Sequence, residues 1–458
     1  MKNRLHYTFL IALFVMLGLM SLHYLPEINL CGKTFRKVDL LSDIRCDIHV
    51  ADTLNLDSLF AEPVVKPPFV DSCKAGIECI EDYSDSTEYG MSHFYEALSD
   101  IENRQSPVRI AYFGDSFIEG DILTADLRNL LQTEFGGKGV GYVSITSKFP
   151  GFRPTVRHSF SGWASHNVTD SVGFIRNRQG IANSYFNATE GAYTSLEATS
   201  KYASCLDGCT ASSIFYLTDD SLYISAEING SSEQKFRVKG DSTLQCLTVN
   251  GNIKKVKWNI EKSSQDALFY AVTMDSNNGI ILDNFSTRGS SGQQLLGIPS
   301  FLLKKYNKLR KYDLIVLQYG LNVAFEGGLD YGYYKEGMKS VIQHFKKAFP
   351  DASILIVGIG DRETKDENGN LRTMPAVKGL IRSQQMLAAE TNVAFWNLYN
   401  AMGGEGSMSK MVNSNPAMAN YDYTHINFRG GKHIAGLLFD AIMYGKEQYE
   451  KRKSYEMQ

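Results

Sequence analysis

Two textures of apolar and polar positions alternate along this chain. In the first, short β-branched apolar runs at 110–113, 280–285, 313–319, 353–359 and 393–398 read as buried strands. Longer stretches at 122–135, 331–349, 376–391 and 431–446 carry apolar residues three and four apart and read as helices. In 122–135, for example, Ile122, Leu123, Leu127, Leu130, Leu131 and Phe135 share one face. A shorter helix is expected over 91–98, packing near the first strand. Strands and helices in alternation predict a parallel sheet covered on both faces, with ligands at the carboxyl ends of the strands.

The second texture interrupts the first. Between 149 and 279, short runs such as SIFYLT, SLYISAEI, LQCLTV and VKWNI alternate in polarity, punctuated by Asn-Gly at 229–230 and 250–251. This predicts an inserted all-β module, built as a sandwich. The glycine-rich piece FGGKGVGYV at 135–143 lacks the Lys-Ser/Thr of a phosphate loop and reads as a turn.

The N-terminus changes the picture of location. Lys2 and Arg4 precede an uncharged run from 7 to 25, and no small-residue cleavage site follows it. A retained membrane anchor over 1–26 is expected, with the rest of the chain exported. Residues 27–105 read as a stalk and lead-in. The α/β domain then occupies 106–148 and 280–450, with the module at 149–279 between its parts. In an exported chain, Cys73/Cys79 and Cys205/Cys209 are close enough in sequence to pair; the seven cysteines leave at least one single. No Cys/His set has zinc spacing, so no metal and no cofactor is expected. A net charge of −3 gives no footprint for nucleic acid.

Candidate chemistry lies at strand ends. Gly114-Asp115-Ser116 ends the first strand in a turn that pushes a hydroxyl outward. Such a serine needs a base, a group to orient the base, and donors for an oxyanion. Among nine histidines, His425 has a carboxylate three residues earlier, Asp422, in a loop before a helix. Asn322, in YGLN after a strand, has an amide N–H to donate. Gly289, in STRGSSG, exposes a backbone N–H.

Taken together, Gly114-Asp115-Ser116, Asn284-x-Ser286-x-x-Gly289, Gly320-x-Asn322 and Asp422-x-x-His425 resemble the sequence blocks of the SGNH (GDSL-like) hydrolases. The resemblance covers about 107–148 and 280–445. It implies a three-layer, flavodoxin-like parallel-sheet hydrolase domain. It further implies Ser116, His425 and Asp422 as a catalytic triad, and Ser116, Gly289 and Asn322 as the oxyanion hole, with Gly292 the alternative glycine. The stretch GDSFIEGDILTADLRNLLQTEFGGKGVGYV is most similar to the branch holding bacterial peptidoglycan O-acetylesterases and O-acetyltransferases, which carry a β insert and act in the periplasm. Phe117 stands where that branch often has His, and Leu321 and Val323 replace the common neighbours of the third-block Asn.

Three readings follow. A serine esterase would remove O-acetyl groups from a cell-envelope glycan. A periplasmic O-acetyltransferase would move acetyl onto the glycan, supplied by a membrane acyltransferase partner. A non-catalytic protein would only bind the glycan. The expected partners are an acylated glycan and, through the anchor, the inner membrane.

Overall fold

A computed structural model describes residues 73–84, 90–170, 172–328 and 330–456, together with positions 7, 10, 11, 13–18, 29, 30, 33 and 34. The chain divides into two units, residues 1–64 and 65–458. In the first, the described residues comprise exposed helical positions between 7 and 18 and an antiparallel pair, Asn29–Leu30 with Lys33–Thr34. Among the described residues no helix is long and apolar enough to cross a membrane. The expected anchor over 1–26 lies largely outside them, as do Cys31 and Cys46.

The second unit begins with β1 (Glu81–Asp82), α1 (Ser92–Ser99), β2 (Val108–Gly114) and α2 (Thr124–Phe135). An antiparallel module follows: β3 (Gly141–Ser144), β4 (Val156–Asn167), β5 (Ser184–Ala198), β6 (Cys209–Leu217), β7 (Leu222–Ile228), β8 (Gln234–Val238), β9 (Leu244–Ile253), β10 (Lys255–Lys262) and β11 (Leu268–Met274). The α/β pattern then resumes with β12 (Ile280–Ser286), α3 (Ser300–Arg310), β13 (Leu314–Gln318), α4 (Gly332–Ala348) and β14 (Ser353–Val357). A small hairpin, β15 (Glu363–Lys365) and β16 (Leu371–Thr373), precedes α5 (Pro375–Thr391) and β17 (Ala394–Trp396). Two short helices, α6 (Leu398–Ala401) and α7 (Ser407–Val412), lead to the long α8 (Phe428–Glu456).

The α/β sheet has strand order β12-β2-β13-β14-β17-β1, parallel except for β1. Its five parallel strands follow the order 2-1-3-4-5 of flavodoxin-like folds. All five residues of β13 and of β14 are buried, as strands covered on both faces require. Helices pack in two groups, α1, α2 and α8 in one and α3, α4 and α5 in the other.

Part of the expected stalk belongs to this domain. Cys73 and Cys79 form a disulfide, and β1 closes the sheet beside β17. The Trp396 indole donates to the Glu78 carbonyl at 2.9 Å. Helix α1 sits against β14 and α8 rather than beside the first strand; the Phe94 N–H donates to Ser353 Oγ at 3.1 Å. Helix α3 has no counterpart among the sequence expectations. Its buried Leu302, Leu303, Tyr306 and Arg310 do show helical spacing in SFLLKKYNKLR.

The module starts earlier than residue 149, because β3 already pairs with β11. Its nine strands form one hydrogen-bonded sheet. The long β4–β5 hairpin is shared by two halves, β7, β8 and β10 on one side and β6, β9 and β11 on the other. Both halves feed a single core containing Ile224, Val256 and Trp258 from one and Ile214, Val249 and Phe269 from the other. The Trp258 indole bridges them, donating to Ser212 Oγ at 3.1 Å. The hairpin changes register between Ser161 and Trp163. There Gly162 has φ 80°, and a Cβ on it would lie 2.8 Å from Ala192 Cα, so only glycine fits this bend.

Alternate residues of β11 serve two cores. Phe269 and Val272 face the module's own interior, while Leu268 and Tyr270 join the α/β core. At this junction the buried Arg310 guanidinium donates to Asp283 and Asp275, with contacts of 2.8 and 2.9 Å. The Tyr312 hydroxyl and the Tyr142 N–H also donate to Asp283, at 2.7 and 2.8 Å. Cys205 and Cys209, expected as a candidate pair, are free thiols. Cys209 is buried in the module core, whereas Cys205 turns toward α2 and contacts Asn129 Oδ1 at 3.4 Å.

Candidate active site

Strand register assembles most of the site. Ser286 of β12 and Gln318 of β13 both pair with Gly114 of β2. Three adjacent parallel strands therefore end level with one another. Ser116 lies two residues beyond its strand, Gly289 three and Asn322 four. The turns after these strands share one rim.

The fourth segment arrives from far along the chain. His425 Nε2 lies 3.0 Å from Ser116 Oγ, across 309 residues of sequence. On the other side of the ring, Nδ1 lies 2.7 Å from Asp422 Oδ2. Asp422 Oδ1 accepts the backbone N–H groups of Thr424 and His425, each at 3.0 Å. The loop is thus self-bracing: the same carboxylate that holds the imidazole also holds the backbone carrying it. This loop is open to solvent, with the His425 and Asp422 side chains 40% and 50% exposed. Partial burial acts to raise the Asp422 carboxyl, but its bonds from the His425 backbone and ring and from Thr424 hold it below the ordinary range.

The donor side is open as well, with Gly289 and Asn322 both exposed. Among the described residues no group accepts the Ser116 or the Gly289 backbone N–H. The Gly292 N–H, by contrast, is taken by Ser290 Oγ at 2.9 Å. Gly289 has φ 74°, so its left-handed turn favours glycine even though a Cβ would meet nothing within 4 Å. The Asn322 amide spans two neighbouring turns, donating to Asp115 Oδ2 at 3.1 Å and to the Ser290 carbonyl at 2.9 Å.

Supports such as Arg362, Asp121 and Asn183 were not singled out from sequence, whereas Asn284 was quoted there as part of the second sequence block. Arg362 donates to the Leu321 and Ala324 carbonyls at 2.9 and 3.1 Å, clamping the turn that carries Asn322. Asn284 donates to the Ile118 carbonyl, Asp121 and Thr124, which ties the stretch after Ser116 to β12. Asp121 is fully buried. Burial opposes its charge, but Arg128 and Arg153 hold its carboxyl far below the ordinary range. Arg153 and Thr155 lead into β4, so Asp121 joins the Ser116 turn to the module, at 2.8 and 2.5 Å. On the other flank Asn183 of the module donates to Thr287 Oγ1 at 3.2 Å. A groove of about 390 Å³ runs between module and rim, past Glu119, Lys148, Phe149, Asn183, Thr287 and Arg288. Among the described residues, no cluster of His, Cys, Asp and Glu could hold a metal ion.

No protein-family model matches the chain, and no curated protein does. The fold is matched by a solved peptidoglycan O-acetylesterase, with TM-score 0.66 and 22% identity over 81% of this chain and 99% of that one. A family two carbohydrate esterase from Clostridium thermocellum (TM-score 0.27, 11% identity, 63% and 100% covered) and an acetyl xylan esterase (TM-score 0.26, 16%, 35% and 81%) are too distant to add to the argument. The chain has the fold of the SGNH hydrolases.

Proposed function

We propose that this protein is a serine esterase that removes O-acetyl groups from a cell-envelope glycan such as peptidoglycan. The observation that carries this reading is the continuous relay Ser116–His425–Asp422, with contacts of 3.0 and 2.7 Å, standing on the carboxyl rim of the sheet. A relay of this kind activates a hydroxyl that is otherwise a poor nucleophile.

The chemistry runs in two halves. Ser116 Oγ attacks the carbonyl carbon of the acetyl ester while its proton passes to His425 Nε2. Negative charge builds on the carbonyl oxygen, facing the N–H groups of Ser116 and Gly289 and the Asn322 amide. Each such donor is worth roughly 10²–10³ in rate. Collapse breaks the bond to the sugar oxygen, which takes the proton from His425. Water, deprotonated by His425, then attacks the acetyl-serine; acetate leaves and Ser116 regains its proton. Asp422 keeps Nδ1 protonated and steadies the imidazolium in both halves.

An envelope glycan is supported by the likeness to a peptidoglycan O-acetylesterase and by the expected export of the chain. The groove beside the module, lined on the rim side by Ser286, Thr287 and Arg288, offers room for a saccharide. Acetate release from O-acetylated peptidoglycan, compared with other acetylated polysaccharides, tests the reading. Ser116→Ala and His425→Ala are expected to abolish release while leaving thermal unfolding unchanged. Undiminished turnover in either variant refutes it, and acetyl appearing on an added glycan acceptor instead of as free acetate replaces hydrolysis by transfer.

A further inference from the structure

We propose that Asp115 is a positioning residue, whose carboxylate holds the Asn322 amide and the Ser116 turn in one arrangement so that an Asn322 N–H can be aimed at the developing oxyanion. The inference rests on the reading of Ser116 as nucleophile.

Both hydrogens on Asn322 Nδ2 are committed, one to Asp115 Oδ2 at 3.1 Å and one to the Ser290 carbonyl at 2.9 Å. An amide gripped at two points does not flip its oxygen toward the reaction. The second carboxylate oxygen, Oδ1, accepts the Phe117 N–H at 3.0 Å and so fixes the peptide just after the nucleophile. One side chain therefore braces two parts of the oxyanion site at once. Only a carboxylate does this. An asparagine in its place has a single acceptor oxygen and would turn an N–H₂ toward one of the two donors.

The surroundings make Asp115 costly to keep. It is 1% exposed, and the titratable side chain that acts on it most is the His425 ring rather than an Arg or Lys. Tyr112 from β2, Tyr319 just after β13 and Tyr334 from α4 also face it, and burial holds all three hydroxyls above their ordinary range, hence neutral. Burial lifts the Asp115 carboxyl to about 6, against the pull of the Phe117 N–H, His425 and Asn322. A buried carboxylate without a cation is a liability that a merely structural position would replace with a neutral group. With Asp115 as the fixed anchor, the hydrogen now on the neutral Ser290 carbonyl is the one that can turn to a negative oxygen. That exchange trades a neutral acceptor for a charged one and is favourable.

The test is a double-mutant cycle on acetate release, using wild type, Asp115→Asn, Asn322→Ala and the double variant, with Ser116→Ala as the blank. Asp115→Asn is expected to lower kcat roughly 10- to 100-fold with KM within about threefold. In the Asn322→Ala background the same change should cost less than about threefold more, because the group it positions is gone. Multiplicative losses overturn the inference, as does a loss confined to KM. If Asp115→Asn does not fold, Asp115→Ser, which leaves room for water on the Phe117 N–H, takes its place in the cycle. A dead Ser116→Ala with multiplicative losses removes this inference alone; a fully active Ser116→Ala removes the nucleophile reading and this inference with it.

Discussion

Two carboxylates flank the same serine, and their environments push them in opposite directions. Asp422 sits half exposed in a loop before α8, surrounded by N–H donors that hold its carboxyl below the ordinary range. Asp115 sits at the sealed end of β2, where burial lifts its carboxyl to about 6. The exposed one is stabilised as an anion by hydrogen bonds and can serve an imidazolium at little cost. The buried one is destabilised as an anion and supports its neighbours at the expense of the fold. Such divergence between two acids in one site marks a division of labour.

The sharpest way to break this contrast is to neutralise the exposed member. Asp422→Asn is expected to cut kcat roughly 10²–10³-fold, less than the ~10⁴ of a fully buried triad aspartate, because water reaches this loop. Stopped-time acetate assays across pH measure it; a loss under tenfold would mean that Asp422 does not orient His425.

Neutralising the buried member should show in stability. The folded carboxyl of Asp115 titrates near 6 and the unfolded one near 3.8. A raised folded value favours the native state below the lower figure, and that advantage is lost as pH rises through the upper one. Asp115→Asn carries no such loss. Its unfolding free energy relative to wild type should therefore improve by about 2 kcal/mol between pH 4 and pH 7. Urea titrations at both pH values check the sign; a flat difference means the carboxyl is not strained.

The smallest effect is expected on the donor turn that neither acid touches. Gly289→Ala meets open space but must hold φ 74°, so a stability cost of about 1 kcal/mol is expected, with the backbone N–H kept in place. A kcat loss well beyond tenfold would show that the turn had moved, and with it the donor.

Much of this molecule is legible in local pattern. The five parallel strands lie within a residue or two of their expected ends, because continuous β-branched runs bounded by turns have few alternatives. The Gly-Asp-Ser turn, Gly289, Asn322 and the Asp422/His425 loop could be named for the same reason, as each is a short motif at an element boundary. Less legible were β1, concealed in a stretch with little periodicity, and α3, whose apolar stripe is short, whereas α1 lies within a residue of the helix expected over 91–98.

The chain alone, then, determined the period of each element, the turn that exposes Ser116 and the residue types able to do acyl chemistry. These depend on neighbours within a few positions. Tertiary structure decided the rest: the register that levels β12, β2 and β13, the closure of His425 on Ser116 across 309 residues, and the bracing of the Ser116 turn by Arg153 from the module. It also decided that Asp115 is buried beside Asn322 while Cys205 and Cys209 stay apart. Burial and partnership between distant segments come from packing the whole chain, and no local pattern carries them.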